Sequence, residues 1–225
     1  QRRKDRKETR DKTYVLESWF IPELQPAGLA VLFHDYGQSK ADLLEVAAEF
    51  HDLHFSVLMV DLRASGETEG REVTFGFYEA RDVTQAVLKA NDFVPAGGIK
   101  IVYGIGTGAA AILKAASEKK LQADALILEG VFDELRHFVD RRIDLTGISP
   151  ALIGRLAMFW IGNSEDFDAN AHNPVTYAQR IKVPTLVLHG AADSLGSMKE
   201  ANRVAAALKT KVVSIRGAGR PIANT

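Results

Sequence analysis

The amino-acid sequence predicts an α/β fold: a mostly parallel central sheet with helices on both faces, carrying one short helical insertion. Three observations lead there. From Thr13 onward, short β-branched runs alternate with amphipathic stretches. The inner runs 30–33, 57–60, 101–103 and 186–188 are continuously apolar, as strands covered on both faces are. Glycine and polar residues then collect after successive runs, where a binding crevice opens at the carboxyl ends of parallel strands.

In order along the chain, strands are expected at 13–20, 28–34, 56–61, 99–104, 124–129, 184–189 and 211–216. Leu43, Val46, Ala47, Phe50 and Leu53 form one helical stripe, preceded by Ser39 and Asp42 in capping-box spacing. Residues 76–92, 107–120 and 197–209 repeat that pattern. The alternation breaks once, between Glu129 and Pro184, where helices are expected at 133–145 and 150–161 and a polar loop at 162–173. Such an insertion, about 133–173, stands where a lid over the crevice would sit or where ordinary crossover packing would. Trp19, Phe75, Phe77, Phe159 and Trp160 are expected to pack in the core or under the insertion.

Composition bounds the function. The 225 residues are 46% hydrophobic and 25% charged, with a formal net charge of −1, which suits one globular domain and gives no general attraction for nucleic acid. No uncharged apolar run reaches the 18 or more residues of a membrane span. With no cysteine there is no disulfide framework, thiolate metal site or cysteine nucleophile. Linear spacing shows no metal-ligand cluster, and no cofactor is expected. Residues 1–12 carry seven Lys/Arg and three Asp/Glu, a basic run read as a solvated tail. Membrane tethering or export would depend on a segment upstream of Gln1, and the compartment stays open.

The turns after the strands carry the chemistry. They read His34-Asp35-Tyr36-Gly37, Asp61-x-Arg63-x-x-Gly66, Gly104-Ile105-Gly106-Thr107-Gly108 and His189-Gly190-x-x-Asp193, then Gly217-Ala218-Gly219-Arg220. Thr74-Phe75-Gly76 leads into a helix, and Asn173-Pro174 precedes a strand. In this order, from about Thr13 to Gly219, the chain resembles the α/β-hydrolase family, in particular its bacterial serine esterase or peptidase-like members. The resemblance implies an oxyanion hole built from the amides of Tyr36 and Thr107. It places the nucleophile at Gly106, the triad acid at Asp193 and the general base at Arg220, with His34, Asp35 and His189 lining the crevice.

Two of those positions cannot do the family's chemistry. Gly106 has no side chain to attack with, and a guanidinium at position 220 offers no acceptor for a proton. The expectation is therefore a fold of hydrolase descent that has lost catalysis and retains a crevice for a small apolar or acyl-type ligand. Arg220 is expected to pair with Asp193, plausible as a two-point fork. Asp35, standing where the oxyanion turn has glycine, is expected to repel a forming oxyanion or to turn away into solvent. The family continues into a C-terminal helix, whereas this sequence ends five residues after Arg220, leaving a sheet face for self-association.

Two alternatives stay open at this point. Ser65 or Ser194, with His34 or His189, would keep an ester hydrolase alive. Gly104-Ile105-Gly106-Thr107-Gly108-Ala109, with Glu129 ending the next strand, also fits a dinucleotide-binding oxidoreductase.

Overall fold

The computed structural model describes residues 14–222. The basic run 1–12 and the first residue of the first expected strand lie outside them. All seven expected strands form: β1 (Ser18–Ile21), β2 (Gly28–Phe33), β3 (Phe55–Val60), β4 (Ile99–Ile105), β5 (Ala125–Glu129), β6 (Thr185–Gly190) and β7 (Val212–Ile215). They make one sheet in the order β1-β3-β2-β4-β5-β6-β7. β1 runs antiparallel to β3, and every other pair is parallel, with Gly28 of β2 level with Phe55 and with Ile99.

Seven α-helices connect the strands: α1 (Leu44–Asp52), α2 (Glu79–Lys89), α3 (Thr107–Ser117), α4 (Leu135–Asp144), α5 (Pro150–Glu165), α6 (Pro174–Ala178) and α7 (Met198–Ala207). The capping box at Ser39 and Asp42 forms, and it opens a 3₁₀ turn, Lys40–Leu43, that feeds α1. A second capping box, Ser197 with Glu200, starts α7. Period-two alternation divides β2 between the layers. Leu29, Val31 and Phe33 pack with Val83 of α2, Ile112 of α3 and Val204 of α7, while Ala30 and Leu32 meet Val46, Ala47 and Phe50 of α1.

α1 covers only part of its face. Beyond Phe50 lies an apolar cavity of about 580 Å³, walled by Tyr103, Ile127, Leu188, Ile215 and Ile222 among others. Among the described residues, no helix is long and apolar enough to cross a membrane.

The insertion between β5 and β6 differs in detail from the expectation. α5 runs on through Glu165, until Asp166 takes a left-handed conformation at φ 54°. With that extension over 162–165, a 3₁₀ turn, Ala169–Ala171, capped by Asp168, replaces about half of the expected polar loop, and Pro174 then starts the short helix α6 just beyond it. Phe159 and Trp160 do not pack inward. α5 buries Gly154 and Met158 and leaves both rings more than 60% exposed. Trp19 is also partly exposed, under the Lys40 ammonium.

His172 ties this insertion to the turn that precedes α2. Its Nε2 donates to the Phe75 carbonyl at 2.9 Å and its Nδ1 accepts from the Tyr177 hydroxyl at 3.1 Å, which fixes a neutral tautomer. Burial pushes its pKa down to about 4, against 6.5 for an unperturbed histidine. Between those values the unfolded chain holds a proton that the folded chain does not, so stability falls as pH drops from 6.5 to 4. The loss expected from this residue is about 3 kcal/mol. Urea unfolding across that range should show this acid slope flattened in His172→Gln.

Candidate active-site crevice

The strand order reverses beside β2: β3 lies on one flank and β4 on the other. Chains leaving β2 and β4 therefore diverge at their carboxyl ends and open a crevice between them. The turn 34–37 and the turn at Gly106 face each other there. Buried ion pairs hold the neighbouring turns. Arg63 forks onto Asp82 at 2.9 and 2.7 Å, and Asp61 accepts both the backbone amide and the ammonium of Lys40 at 2.6 Å.

Gly106 lies between β4 and α3 at φ 53°, ψ −109°, a left-handed turn that favours glycine. A Cβ built there would stand 2.1 Å from Cγ of Asp35. The space a side chain at this position would fill is thus taken by the Asp35 carboxylate.

That carboxylate does not turn away into solvent, which corrects the second of the two alternatives expected for it. Its Oδ1 accepts from the backbone amides of Tyr36 and Thr107, each at 2.7 Å. Its Oδ2 accepts from Nη1 of Arg220 at 3.1 Å. The side chain is only 3% exposed. The carboxylate is thus seated on these two amides, where it would repel another anion.

Arg220 does pair with Asp193, though not as a two-oxygen fork. Nε and Nη2 both donate to Oδ2, at 2.9 and 2.6 Å, while Oδ1 accepts from the amides of Leu195 and Gly196. The third guanidinium nitrogen is thereby free to reach Asp35. Burial alone would lower the Arg220 pKa, but Asp35 and Asp193 outweigh it and raise it further. The guanidinium lies against Gly130, where a Cβ would stand 2.4 Å from Nε. From α4, Arg142 brings Nη2 to 3.8 Å from Asp35 Oδ2, and its Nη1 is buried without a hydrogen-bond partner. Burial lowers the pKa of Arg142, and its guanidinium stacks on the Phe138 ring.

Neither crevice histidine is hydrogen-bonded to a serine or to a carboxylate side chain. His34 is committed to the backbone: Nδ1 donates to the Asp35 carbonyl at 2.7 Å and Nε2 accepts from the Leu62 amide at 3.1 Å. Burial lowers its pKa, and with both nitrogens occupied it has none to offer Ser65. His189 Nδ1 stands 4.0 Å from Asp193 Oδ2, beyond hydrogen-bond reach, because Arg220 holds that oxygen. Burial lowers its pKa as well. Glu129 is directed away from any ribose: its oxygens accept from the Tyr103 hydroxyl and the Ile222 amide on the cavity side of the sheet.

The fold also assembles a cluster that linear spacing hides. Asp133 after β5, His137 in the first turn of α4 and Glu200 in the first turn of α7 bring ligand-type atoms within 4.8 Å of one another. Arg203 pairs with Asp133 and reaches His137 Nδ1 at 3.3 Å, and Arg141 reaches Glu200 at 3.4 Å. This is an ion-pair junction between α4 and α7 already supplied with cations.

Sheet, elbow turn and strand-end loops together make this an α/β-hydrolase-fold protein. An esterase from Pyrococcus furiosus superposes with a TM-score of 0.73 at 19% identity, covering 94% of this chain and 80% of that one. Est1E from Butyrivibrio proteoclasticus, solved with ferulic acid bound, gives 0.69 at 16% identity, covering 92% and 90%. A monoacylglycerol lipase from Paleococcus ferrophilus gives 0.64 at 17% identity, covering 94% and 91%. Among curated sequences the chain is similar to the uncharacterized protein YqkD of Bacillus subtilis strain 168, 23% identical over 187 residues. That match covers 80% of this chain but spans only 60% of YqkD's length. No protein-family model matches the chain.

Gly106→Ala should cost about 3 kcal/mol or more, because it combines a strained backbone with a collision against the Asp35 carboxylate. Adding Asp35→Gly should recover part of that loss, seen as coupling in a double-mutant cycle of urea unfolding. Arg220→Leu leaves two carboxylates facing each other and should cost about 3–5 kcal/mol by the same measurement.

Proposed function

We propose that this chain is a non-catalytic protein of serine-hydrolase descent, whose former active site has become an internal ion-pair site. In this reading Gly106 stands at the nucleophile position and Arg220 at the general-base position, and Asp193 is the retained acid. The single observation that carries it is the seat of the Asp35 carboxylate: it occupies the amide pair of Tyr36 and Thr107 that an ester's oxyanion would need.

The magnitudes agree. Serine proteases stripped of the whole triad keep roughly 10³–10⁴-fold over water from the oxyanion hole and binding. Here an anion already in that hole removes most of what the amides could contribute, since a second negative charge beside it is repelled. Arg220, held by two carboxylates, cannot accept a proton at any pH at which the protein folds. Esterase and lipase activities belong to the similar proteins.

Reversion must involve three positions together. Ser at 106 collides with Asp35, and His at 220 would leave Asp35 without its cation. The test is hydrolysis of a short-chain p-nitrophenyl ester by the native chain and by Asp35→Gly/Gly106→Ser/Arg220→His. The native chain should not exceed the buffer rate, whereas the triple variant should rise at least about 100-fold above it. Native turnover near 1 s⁻¹ or faster, from protein free of contaminating esterase, overturns the proposal.

A further inference from the structure

The non-catalytic reading leaves open what the crevice does, and its charges suggest an answer. Two guanidiniums, Arg220 and Arg142, face two carboxylates, Asp35 and Asp193. Asp193 is fixed by the Leu195 and Gly196 amides and by two donors of Arg220. Asp35 is the other counter-ion, and its two oxygens are used differently. One takes both amides of the turn, while the other takes Arg220 and stops 3.8 Å short of Arg142. Nη2 of Arg142 thus stops beyond hydrogen-bond distance of Asp35, and Nη1 of the same guanidinium is buried with no hydrogen-bond partner. A buried donor without an acceptor is costly, and a guanidinium most of all. The site is thus shaped for a planar monoanion with two oxygens, and the tether at position 35 keeps its resident anion from satisfying every donor.

We propose that the crevice is a carboxylate-binding site in which Asp35 is the built-in occupant, and that the carboxylate of a small monocarboxylic acid takes its place. The free anion bonds the Tyr36 and Thr107 amides through one oxygen and bridges Arg220 and Arg142 through the other. Arg142 is here a binding residue supplied by the insertion, so occupancy of the site is communicated to α4. In the native chain the tethered carboxylate competes at a high effective concentration, which weakens the apparent affinity for a free acid by about 100-fold or more. Displacing Asp35 is therefore the regulated step, and a ligand succeeds by adding contacts along the crevice to those of its carboxylate.

The proposal rests on the non-catalytic reading of the site, and its test uses no turnover, so the two can fail separately. The probes are sodium acetate and sodium formate, with sodium chloride at equal ionic strength as control. In Asp35→Ala, amide signals of Tyr36 and Thr107 in nitrogen–proton correlation spectra should shift saturably with acetate, with a Kd below about 100 mM. The unfolding midpoint of that variant should rise with acetate or formate and not with chloride, while the native chain responds at least about 100-fold more weakly. Asp35→Ser is the second variant should Asp35→Ala not fold, and the same shifts are expected in it. Two results overturn the proposal: no saturable shift of the Tyr36 and Thr107 amides in the folded variant, or an equal response in the native chain. Loss of the response in Asp35→Ala/Arg142→Gln, with the fold intact, supports the assignment to Arg142, and full retention overturns that part.

Discussion

The crevice depends on one compensated charge. A carboxylate buried at the meeting of two turns is tolerable only if donors replace the water it has lost. Asp35 has three: the amides of Tyr36 and Thr107 and one nitrogen of Arg220. Each donor comes from a different part of the chain, namely the turn after β2, the start of α3 and the segment after β7. The same interaction that neutralises the aspartate therefore ties the adjacent strands β2 and β4 to the segment after the edge strand β7, remote in sequence. Every other oddity of the site follows from accommodating it.

Three residues fit only as a set. Gly106 leaves the volume the carboxylate fills, since a Cβ there would stand 2.1 Å from Cγ of Asp35. Arg220 supplies the cation that bridges Asp35 and Asp193, two carboxylates that would otherwise oppose each other. Gly130 in turn gives the guanidinium room to lie flat. The three positions are interdependent, and exchanging a single member meets a collision or an unpaired charge.

The insertion takes part in this arrangement. It reaches the site through Arg142 of α4 and is anchored at its far end by His172, whose neutral ring bridges Phe75 and Tyr177. Between these points α4 and α5 pack on Phe132, Phe138 and Phe167. The outer side of α5, with Phe159 and Trp160 exposed, faces away from that cluster. Those two aromatic rings were expected to pack in the core or under the insertion because large aromatic side chains usually do; α5 is apolar on both sides, and the residue types alone cannot say which side is covered.

Local rules determined much of this protein directly from its sequence. The β-branched runs, capping residues and glycine-rich turns specify seven strands, their helices and the side of the sheet on which the crevice opens, because these depend on short-range propensity and on chain connectivity. The pairing of Arg220 with Asp193 was also expected, from the family resemblance that sets an acid and a base at those two positions. The tertiary structure decided where Asp35 points. Its carboxylate could have met solvent, and only the approach of β2, β4 and the segment after β7 puts two amides and a guanidinium within reach. The Asp133–His137–Glu200 junction, drawn from three elements, was hidden for the same reason. Hydrogen bonds between residues 72 and 185 positions apart are set by how the layers close, and no window of sequence contains both partners.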